Sequence, residues 1–437
     1  MNETDRIEIR PCGPLLARVR PPGSKSITNR ALICAALAEG KSNLYGTLDS
    51  EDTQVMVSAL EQLGISVDRN GSSQLVVHGR GGTLPIDQAD LFVANSGTTI
   101  RFLTAMLATI TGRFRLDGVP RMRERPIADL IEAIGQLGAA AESELGTGAP
   151  PVVINSTGMS GGTAVLRGDI SSQFLSGLLM AAPNAKNLVE CKIDGGLVSR
   201  PYVRMTLAVM EAFGIQVDVA GDIDTDDHLV FTVAAPQAYH PLNYSIEPDA
   251  TAASYFWAAA AICGGSVVVK DLNMCSIQGD VRFCECLERM GCTVRSMENG
   301  LGVEREPSQP LVGIDVDMNG VSDTVQTLAA VAVFADGPTR IRGVGHIRHK
   351  ETDRIGDLAR ELRKIGADVN EYDDGLEIVP KSLRAAEIET YRDHRMAMSL
   401  ALIGLRVPEV VILDPQCVDK TYPHFFDDLS QVTGGEQ

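Results

Sequence analysis

The chain has 437 residues, 44% of them hydrophobic and 22% charged, which suffices for a large core and more than one domain. A formal net charge of -18 excludes nucleic acid as a partner, because phosphate-backbone binding is driven by a basic surface. The sequence reads neither as a signal leader at its start nor as a membrane span later, and nine cysteines without CxxC spacing read as reduced thiols, so the expectation is a cytoplasmic globular protein.

In chain order, "RIEIRPC" alternates as a strand with no helix before it. "PPGSKSITNRALICAALAEG" follows, a proline-glycine turn, a lysine between two serines and an apolar helix, with Lys25, Ser26 and Arg30 at its opening. Ser26 and Arg30 are four residues apart and share a helical face. The motif is not a P-loop, since Gly23 and Lys25 are not adjacent and no glycine stands five residues earlier. "NSGTTIRFLTAMLA" offers Asn95 and Ser96 as helix caps, Gly97 for close backbone approach and Arg101 one turn in. "RMRERPIADLIEAIG" sets Arg125 before Pro126, which is expected to open a helix. Ser171, Ser172 and Gln173 begin "SSQFLSGLLMAA", and Ser199, Arg200 and Tyr202 begin "SRPYVRMTLAVMEAFG".

The second half repeats the design with more acid and base. Asp323 reads as the cap of "TVQTLAAVAVFA", Lys350, Glu351 and Arg354 precede "IGDLARELRKIG", His394 and Arg395 open "HRMAMSLALIGL", and Lys420 precedes "FFDDL". Each piece alone fits a helix cap or a solvated side chain. Cations gathered at helix N-termini in both halves of an acidic chain fit an anion trap instead. His346 and His349 lack a zinc context, Asp315 and Asp317 alternate as a solvated strand, and neither a GxSxG elbow nor a Rossmann glycine fingerprint occurs.

One phrase recurs, an amphipathic helix ending at a glycine and running into a short strand. Its glycines, Gly64, Gly138, Gly214, Gly291 and Gly366, are separated by 74, 76, 77 and 75 residues. A last helix reaches Gly434, and "RIEIRPC" is expected to supply the strand that would follow it. The expectation is an α/β (α+β) chain of two similar lobes of three repeats each. Residues 24–243 form one, and 1–23 plus 244–437 form the other, which the N-terminal strand closes. A cleft between two lobes is a usual ligand site.

Together, "PGSKSITNRALICAALAEG", "LDSEDT", "NSGTTIRFL", "RMRERPI", "SSQFLSGLLMAAP", "SRPY", "DATAASYFWAAAAI", "QGD", "HKETDRI", "YRDHRMAM" and "LDP" resemble the 5-enolpyruvylshikimate-3-phosphate synthase family over nearly the whole chain. The resemblance implies the enolpyruvyl transferase fold, an inverse α/β barrel of two lobes with three βαβαββ-type units each. It implies transfer of the enolpyruvyl group of phosphoenolpyruvate to the 5-hydroxyl of shikimate 3-phosphate with release of phosphate. By the same resemblance Ser171, Ser172 and Lys350 would hold the shikimate phosphate, with Lys25, Ser26, Arg30, Gln173, Ser199, Tyr202 and Asp323 on its other groups. His346 stands where better-known bacterial members have an asparagine on that phosphate, and as a donor its strength would vary with pH. Phosphoenolpyruvate would be held by Lys25, Gly97, Arg125, Gln173, Arg354, Arg395 and Lys420.

The chemistry implied is addition then elimination, with Asp323 as base to the hydroxyl, Glu351 as acid to C3 and Lys25 assisting; which carboxylate handles which proton stays open. No metal or organic cofactor is implied, the partners are the two small-molecule substrates, and one chain suffices for the site, so a monomer is expected. Gly97 is retained beside Ser96 and Phe102, where many members have Ala and Pro, and sensitivity to glyphosate is expected. The alternatives are a UDP-N-acetylglucosamine enolpyruvyl transferase and a non-catalytic anion-binding protein of the same fold. The first typically carries a loop cysteine, which "VPRMRERPIA" lacks, and the second does not require both Asp323 and Glu351.

Overall fold

Each copy of the recurring phrase ends its helix on a glycine in the left-handed region. In the computed structural model, which describes residues 5–434, Gly64, Gly138, Gly214, Gly291, Gly366 and Gly434 have φ between +70° and +109°. At Gly366 both conformation and space require glycine, since a Cβ would lie 2.7 Å from the carbonyl oxygen of Ser382.

Chain contacts separate a central unit, Gly23–Ile246, from a terminal unit made of residues up to Pro22 and from Glu247 onward. In the central unit helices α1 (Lys25–Leu37), α2 (Glu51–Gln62), α3 (Gly97–Ala108), α4 (Ala128–Gln136), α5 (Ser172–Ala181) and α6 (Arg200–Ala212) alternate with three four-stranded sheets. In the second sheet Gln88–Phe92 pairs parallel with Thr111–Asp117, which pairs antiparallel with Val152–Thr157, itself antiparallel to Ala140–Ser143. Strand, helix, strand, helix and hairpin thus form one βαβαββ repeat. The third sheet follows suit, and in the first the parallel edge comes from Asn243–Ser245, which joins Asn43–Tyr45.

The terminal unit contains α7 (Ala250–Cys263), α8 (Phe283–Arg289), α9 (Val325–Ala332), α10 (Gly356–Ile365), α11 (His394–Gly404) and α12 (Phe425–Thr433). Leu15–Val19 supplies the parallel edge of its first sheet, beside Gly265–Lys270. Its last sheet has three strands, in which Val410–Leu413 pairs parallel with Ala386–Ile388 and antiparallel with Arg6–Ile9.

Within each unit the helices form the core and the sheets keep one face toward water. Every residue of α3, α7 and α11 is buried, and the strand Gly162–Arg167 alternates between exposed and buried positions. The main sheets are open, and none closes into a barrel of its own. The alanine-rich α7 is apolar all round, which suits a helix surrounded by protein. Its Trp257 buries an indole whose N–H donates to the carbonyl of Leu301 at 2.9 Å. Hydroxyls tie the inner helices, Ser254 of α7 meeting Thr327 of α9 at 3.3 Å and Thr327 meeting Ser399 of α11 at 3.1 Å. No helix among the described residues is long and apolar enough to cross a membrane.

Candidate active site

The residues singled out from sequence fall into two clusters, one per unit. In the central unit α1 is capped by Ser24, whose side chain accepts from the N–H of Ile27, so Lys25 and Ser26 are its first two residues. Lys25 Nζ lies 3.9 Å from Oδ2 of Asp52, a buried residue in the first turn of α2. Asp52 also accepts from Thr98 Oγ1 at 3.3 Å, and Thr98 accepts from Asn29 at 2.8 Å.

Arg30 is 1% exposed, under the start of its own helix. Its guanidinium donates to Thr206 Oγ1 (2.7 Å), Ser176 Oγ (3.4 Å) and the carbonyls of Ser26 (3.0 Å) and Tyr202 (3.2 Å), and sits 5.2 Å from the Phe102 ring centroid. Burial pulls its pKa down to about 10, which leaves it charged at neutral pH. It therefore binds α1, α5 and α6 together beneath Ser26 and Tyr202.

Ser96 caps α3 and Gly97 is its first residue; Asn95 is no cap, because its carbonyl and amide oxygens accept from Arg125 Nη1 at 3.0 and 3.3 Å. Arg101 Nη1 donates to the carbonyl of Gly97 (3.0 Å) and to Gln173 Oε1 (3.2 Å), joining two predicted residues. A Cβ on Gly97 would lie 2.4 Å from Arg125 Nη2 and 2.7 Å from Arg101 Nη1. Pro126 does not open a helix as expected, since α4 begins at Ala128 and the Pro126 carbonyl is taken by Arg101 Nη2 at 3.0 Å. Ser171 caps α5 through the N–H of Gln173, and Ser172 is buried behind it. Ser199 precedes α6 with φ 53°, a left-handed conformation costing a non-glycine residue about 1–3 kcal/mol.

The terminal cluster is centred on Arg354, 1% exposed and ringed by three carboxylates. It donates to Asp393 through Nε (2.7 Å) and Nη2 (3.1 Å), to Glu351 Oε2 through Nη2 (2.8 Å) and to Asp323 Oδ1 through Nη1 (3.2 Å). Burial opposes its charge, and Asp393, Glu351 and Asp323 more than offset that, holding its pKa above the ordinary guanidinium value. Glu351 Oε1 accepts from Lys420 Nζ at 2.6 Å, and Asp323 Oδ2 from Arg395 Nη2 at 2.7 Å. Arg395 Nη1 also reaches the hydroxyl of Tyr255 at 3.5 Å, a phenol that burial pushes up to about 12 and so keeps neutral.

Asp323 is not the cap predicted for it. Thr324 takes the cap position of α9, and the Asp323 carboxylate turns to two guanidiniums, whose charge-assisted bonds outweigh one backbone N–H. Ser322, beside it, meets His346 Nε2 at 3.1 Å. Burial first, then Lys350 and His349 against the pull of Asp323, push the His346 pKa down to about 3. It is therefore a neutral imidazole throughout the physiological range, where the sequence suggested a pH-dependent donor. Lys350 follows the 3₁₀ turn Gly345–His349 that carries His346.

Two residues outside the sequence prediction complete these clusters. They are Asp52 beside Lys25 and Asp393, which caps α11 through the N–H of Arg395 while holding Arg354; Arg101, noted from sequence one turn into its helix, takes its place between Gly97 and Gln173. The clusters differ in charge balance. Among the described residues no carboxylate lies within ion-pair distance of Arg30 or Arg125, whereas Arg354, Arg395 and Lys420 all hold carboxylates. In the central cluster, of Lys25, Arg30 and Arg125 only Lys25 stands near a described carboxylate, Asp52 at 3.9 Å, so an anion there meets less competition. The terminal cluster sets two carboxylates against cations that an anion would compete for, an arrangement suited to moving protons.

A family model described as EPSP synthase (3-phosphoshikimate 1-carboxyvinyltransferase) matches residues 9–429. The chain is 48% identical over 430 residues to a 3-phosphoshikimate 1-carboxyvinyltransferase of Nostoc punctiforme, covering 98% of this chain and 99% of that protein. It is 44% identical over 447 residues to the chloroplastic 3-phosphoshikimate 1-carboxyvinyltransferase of Arabidopsis thaliana, covering 99% and 85%. Among solved structures, EPSP synthase from Acinetobacter baumannii matches with a TM-score of 0.80 at 25% identity, covering 98% of each chain.

Proposed function

The chain belongs to the EPSP synthase family, and from that premise we propose that it transfers the enolpyruvyl group of phosphoenolpyruvate to the 5-hydroxyl of shikimate 3-phosphate, releasing phosphate. The observation that carries the residue roles is the shared guanidinium of Arg354, which holds both Asp323 and Glu351, each with a second cation of its own.

In this reading Ser171, Ser172, His346 and Lys350 take the shikimate phosphate, and Lys25, Ser26, Arg30, Gln173, Ser199, Tyr202 and Asp323 take the rest of that molecule, Arg30 also bracing Ser26 and Tyr202 from beneath. Phosphoenolpyruvate takes Lys25, Gly97, Arg125, Gln173, Arg354, Arg395 and Lys420. Each substrate phosphate carries roughly -1.5 to -2 charges near neutral pH, so the cations lower the repulsion between two bound anions.

An incoming carboxylate or phosphate competes with Asp323 and Glu351 for the N–H donors of Arg354, Arg395 and Lys420. Displaced from Arg395, Asp323 accepts the proton of the 5-hydroxyl as its oxygen attacks C2 of phosphoenolpyruvate. Glu351 carries a proton to C3 only when freed from its two cation partners, which oppose protonation while they hold it. Loss of a C3 proton and of phosphate from the tetrahedral adduct restores the double bond.

Phosphate release from purified protein, given phosphoenolpyruvate with shikimate 3-phosphate or with UDP-N-acetylglucosamine, tests the reading. Release with shikimate 3-phosphate alone, abolished in Glu351→Gln, is expected. Release with the nucleotide sugar alone, or with neither acceptor, overturns it. The reading takes the protein as a monomer, since one chain carries every residue named, and light scattering checks the mass.

A further inference from the structure

Two cysteines that the reaction does not use meet across the sequence. Cys263 ends α7, and Cys12 lies in the stretch joining strand Arg6–Ile9 to strand Leu15–Val19. Their sulfurs are 3.6 Å apart, and both belong to the terminal unit. Backbone bonds fix the approach. The N–H of Cys12 donates to the carbonyl of Leu405 (3.0 Å), and that of Leu15 to the carbonyl of Gly264 (2.9 Å). Arg406 donates through Nη1 to the carbonyl of Ile262 at 2.9 Å, bringing a fixed positive charge beside the pair.

The two thiols are unlike. Cys12 is half-buried, with Pro11, Gly13 and Pro14 around it exposed, so a small reagent reaches it; Cys263 is 4% exposed at the negative end of a helix dipole. The hydrogen bond from Cys263, and then Arg406 acting against burial, hold the Cys12 pKa below the ordinary thiol value, while the same bond and burial raise that of Cys263. Cys12 is the nucleophile and Cys263 the resolving thiol.

We propose that Cys12 and Cys263 form a peroxide-sensitive, reversible oxidation site that staples the N-terminal segment to the end of α7. The Cys12 thiolate attacks one oxygen of hydrogen peroxide, breaking the O–O bond and leaving a sulfenic acid and hydroxide. Cys263, deprotonated by that hydroxide, attacks the Cys12 sulfur and expels a second hydroxide. With the Cys12 proton counted, two thiols and one peroxide become one disulfide and two waters. The sulfurs need to close by only about 1.5 Å to reach disulfide bonding distance. The bond joins residues 251 apart in sequence, so it constrains a long stretch of the unfolded chain.

The full chain is treated with a slight excess of hydrogen peroxide, its remaining thiols are alkylated, and a protease digest is mapped without reduction. The expected result is a linked Cys12–Cys263 peptide lighter by two hydrogens and released by dithiothreitol. The melting temperature should rise by roughly 5–10 °C, a shift absent from both Cys12→Ser and Cys12→Ala. Cys12 recovered alkylated or as a sulfinic acid without the linked peptide overturns the proposal, as does Cys12 linked to other cysteines. An equal thermal shift in the Cys12 variants also overturns it.

Discussion

Arg354 and Asp393 form a two-bond pair, Nε to Oδ2 at 2.7 Å and Nη2 to Oδ1 at 3.1 Å, with both side chains closed to solvent. Asp393 also caps α11, so one carboxylate fixes a helix start and the guanidinium holding Asp323 and Glu351. Asp393→Ala leaves Arg354 short of its best partner and is expected to cost about 3–5 kcal/mol. Asp393→Asn keeps a capping oxygen and should cost less, yet kcat should fall in both. Urea unfolding alongside phosphate release checks this; an Asp393→Ala protein as stable as the parent would show that the pair contributes little.

His346 sets a pH signature. Its folded pKa is about 3, while an unfolded histidine titrates near 6.5. Between those values the unfolded chain binds a proton that the folded chain does not. Stability therefore rises with pH across this window and is lost as pH falls through it, at up to roughly 1.4 kcal/mol per pH unit. Other groups titrate too, so the readout is a difference. Denaturant unfolding from about pH 4 to about pH 7 should be less steep in His346→Gln than in the parent, and parallel curves would contradict the assignment.

Gly97→Ala separates fold from affinity. The residue opens α3 without positive φ, and the obstructing atoms are the ends of two arginine side chains, so stability should change by no more than about 1 kcal/mol. Arg125 and Arg101 must give way, and KM for phosphoenolpyruvate is expected to rise about tenfold, equivalent to about 1.4 kcal/mol. KM for shikimate 3-phosphate should move little. Glyphosate, expected to inhibit the parent in place of phosphoenolpyruvate, should lose potency in parallel. Parent activity untouched by millimolar glyphosate would refute that last point.

Arg30→Lys tests the brace under the central cluster. A lysine cannot reach Thr206, Ser176 and the carbonyls of Ser26 and Tyr202 at once, so a loss of roughly 2–4 kcal/mol is expected. Thermal melts of the two proteins measure it.

What could be read from sequence was local. Ser96 and Ser171 cap helices because a short hydroxyl beside an unpaired N–H is nearly sufficient, and the glycines mark helix ends because few other residues adopt their φ. The same local rule misread Asp323, whose partners lie 31 and 72 residues away. Asp52 and Asp393 escaped notice, and Arg101 was legible only as a cation one turn into its helix, because their roles arise from pairings that no spacing announces. Backbone strain was equally silent. Ala94, Ser199, Tyr391, Arg392 and Asp414 all have positive φ, and each lies just before a helical segment that carries candidate site residues. Nothing in the propensity of those residues foretells it, and strain of this kind gathers where side chains must be aimed.

The pairing of Arg6–Ile9 with Val410–Leu413 imposes an order on biosynthesis. The first strand leaves the ribosome about 400 residues before its partner, a wait of roughly 20 seconds or more at 5–20 residues per second. The central unit waits only about half as long, because Asn243–Ser245 completes its first sheet about 200 residues after Asn43–Tyr45 emerges. Vectorial synthesis thus favours a finished central unit with a nascent tail on either side, and the two tails find each other last.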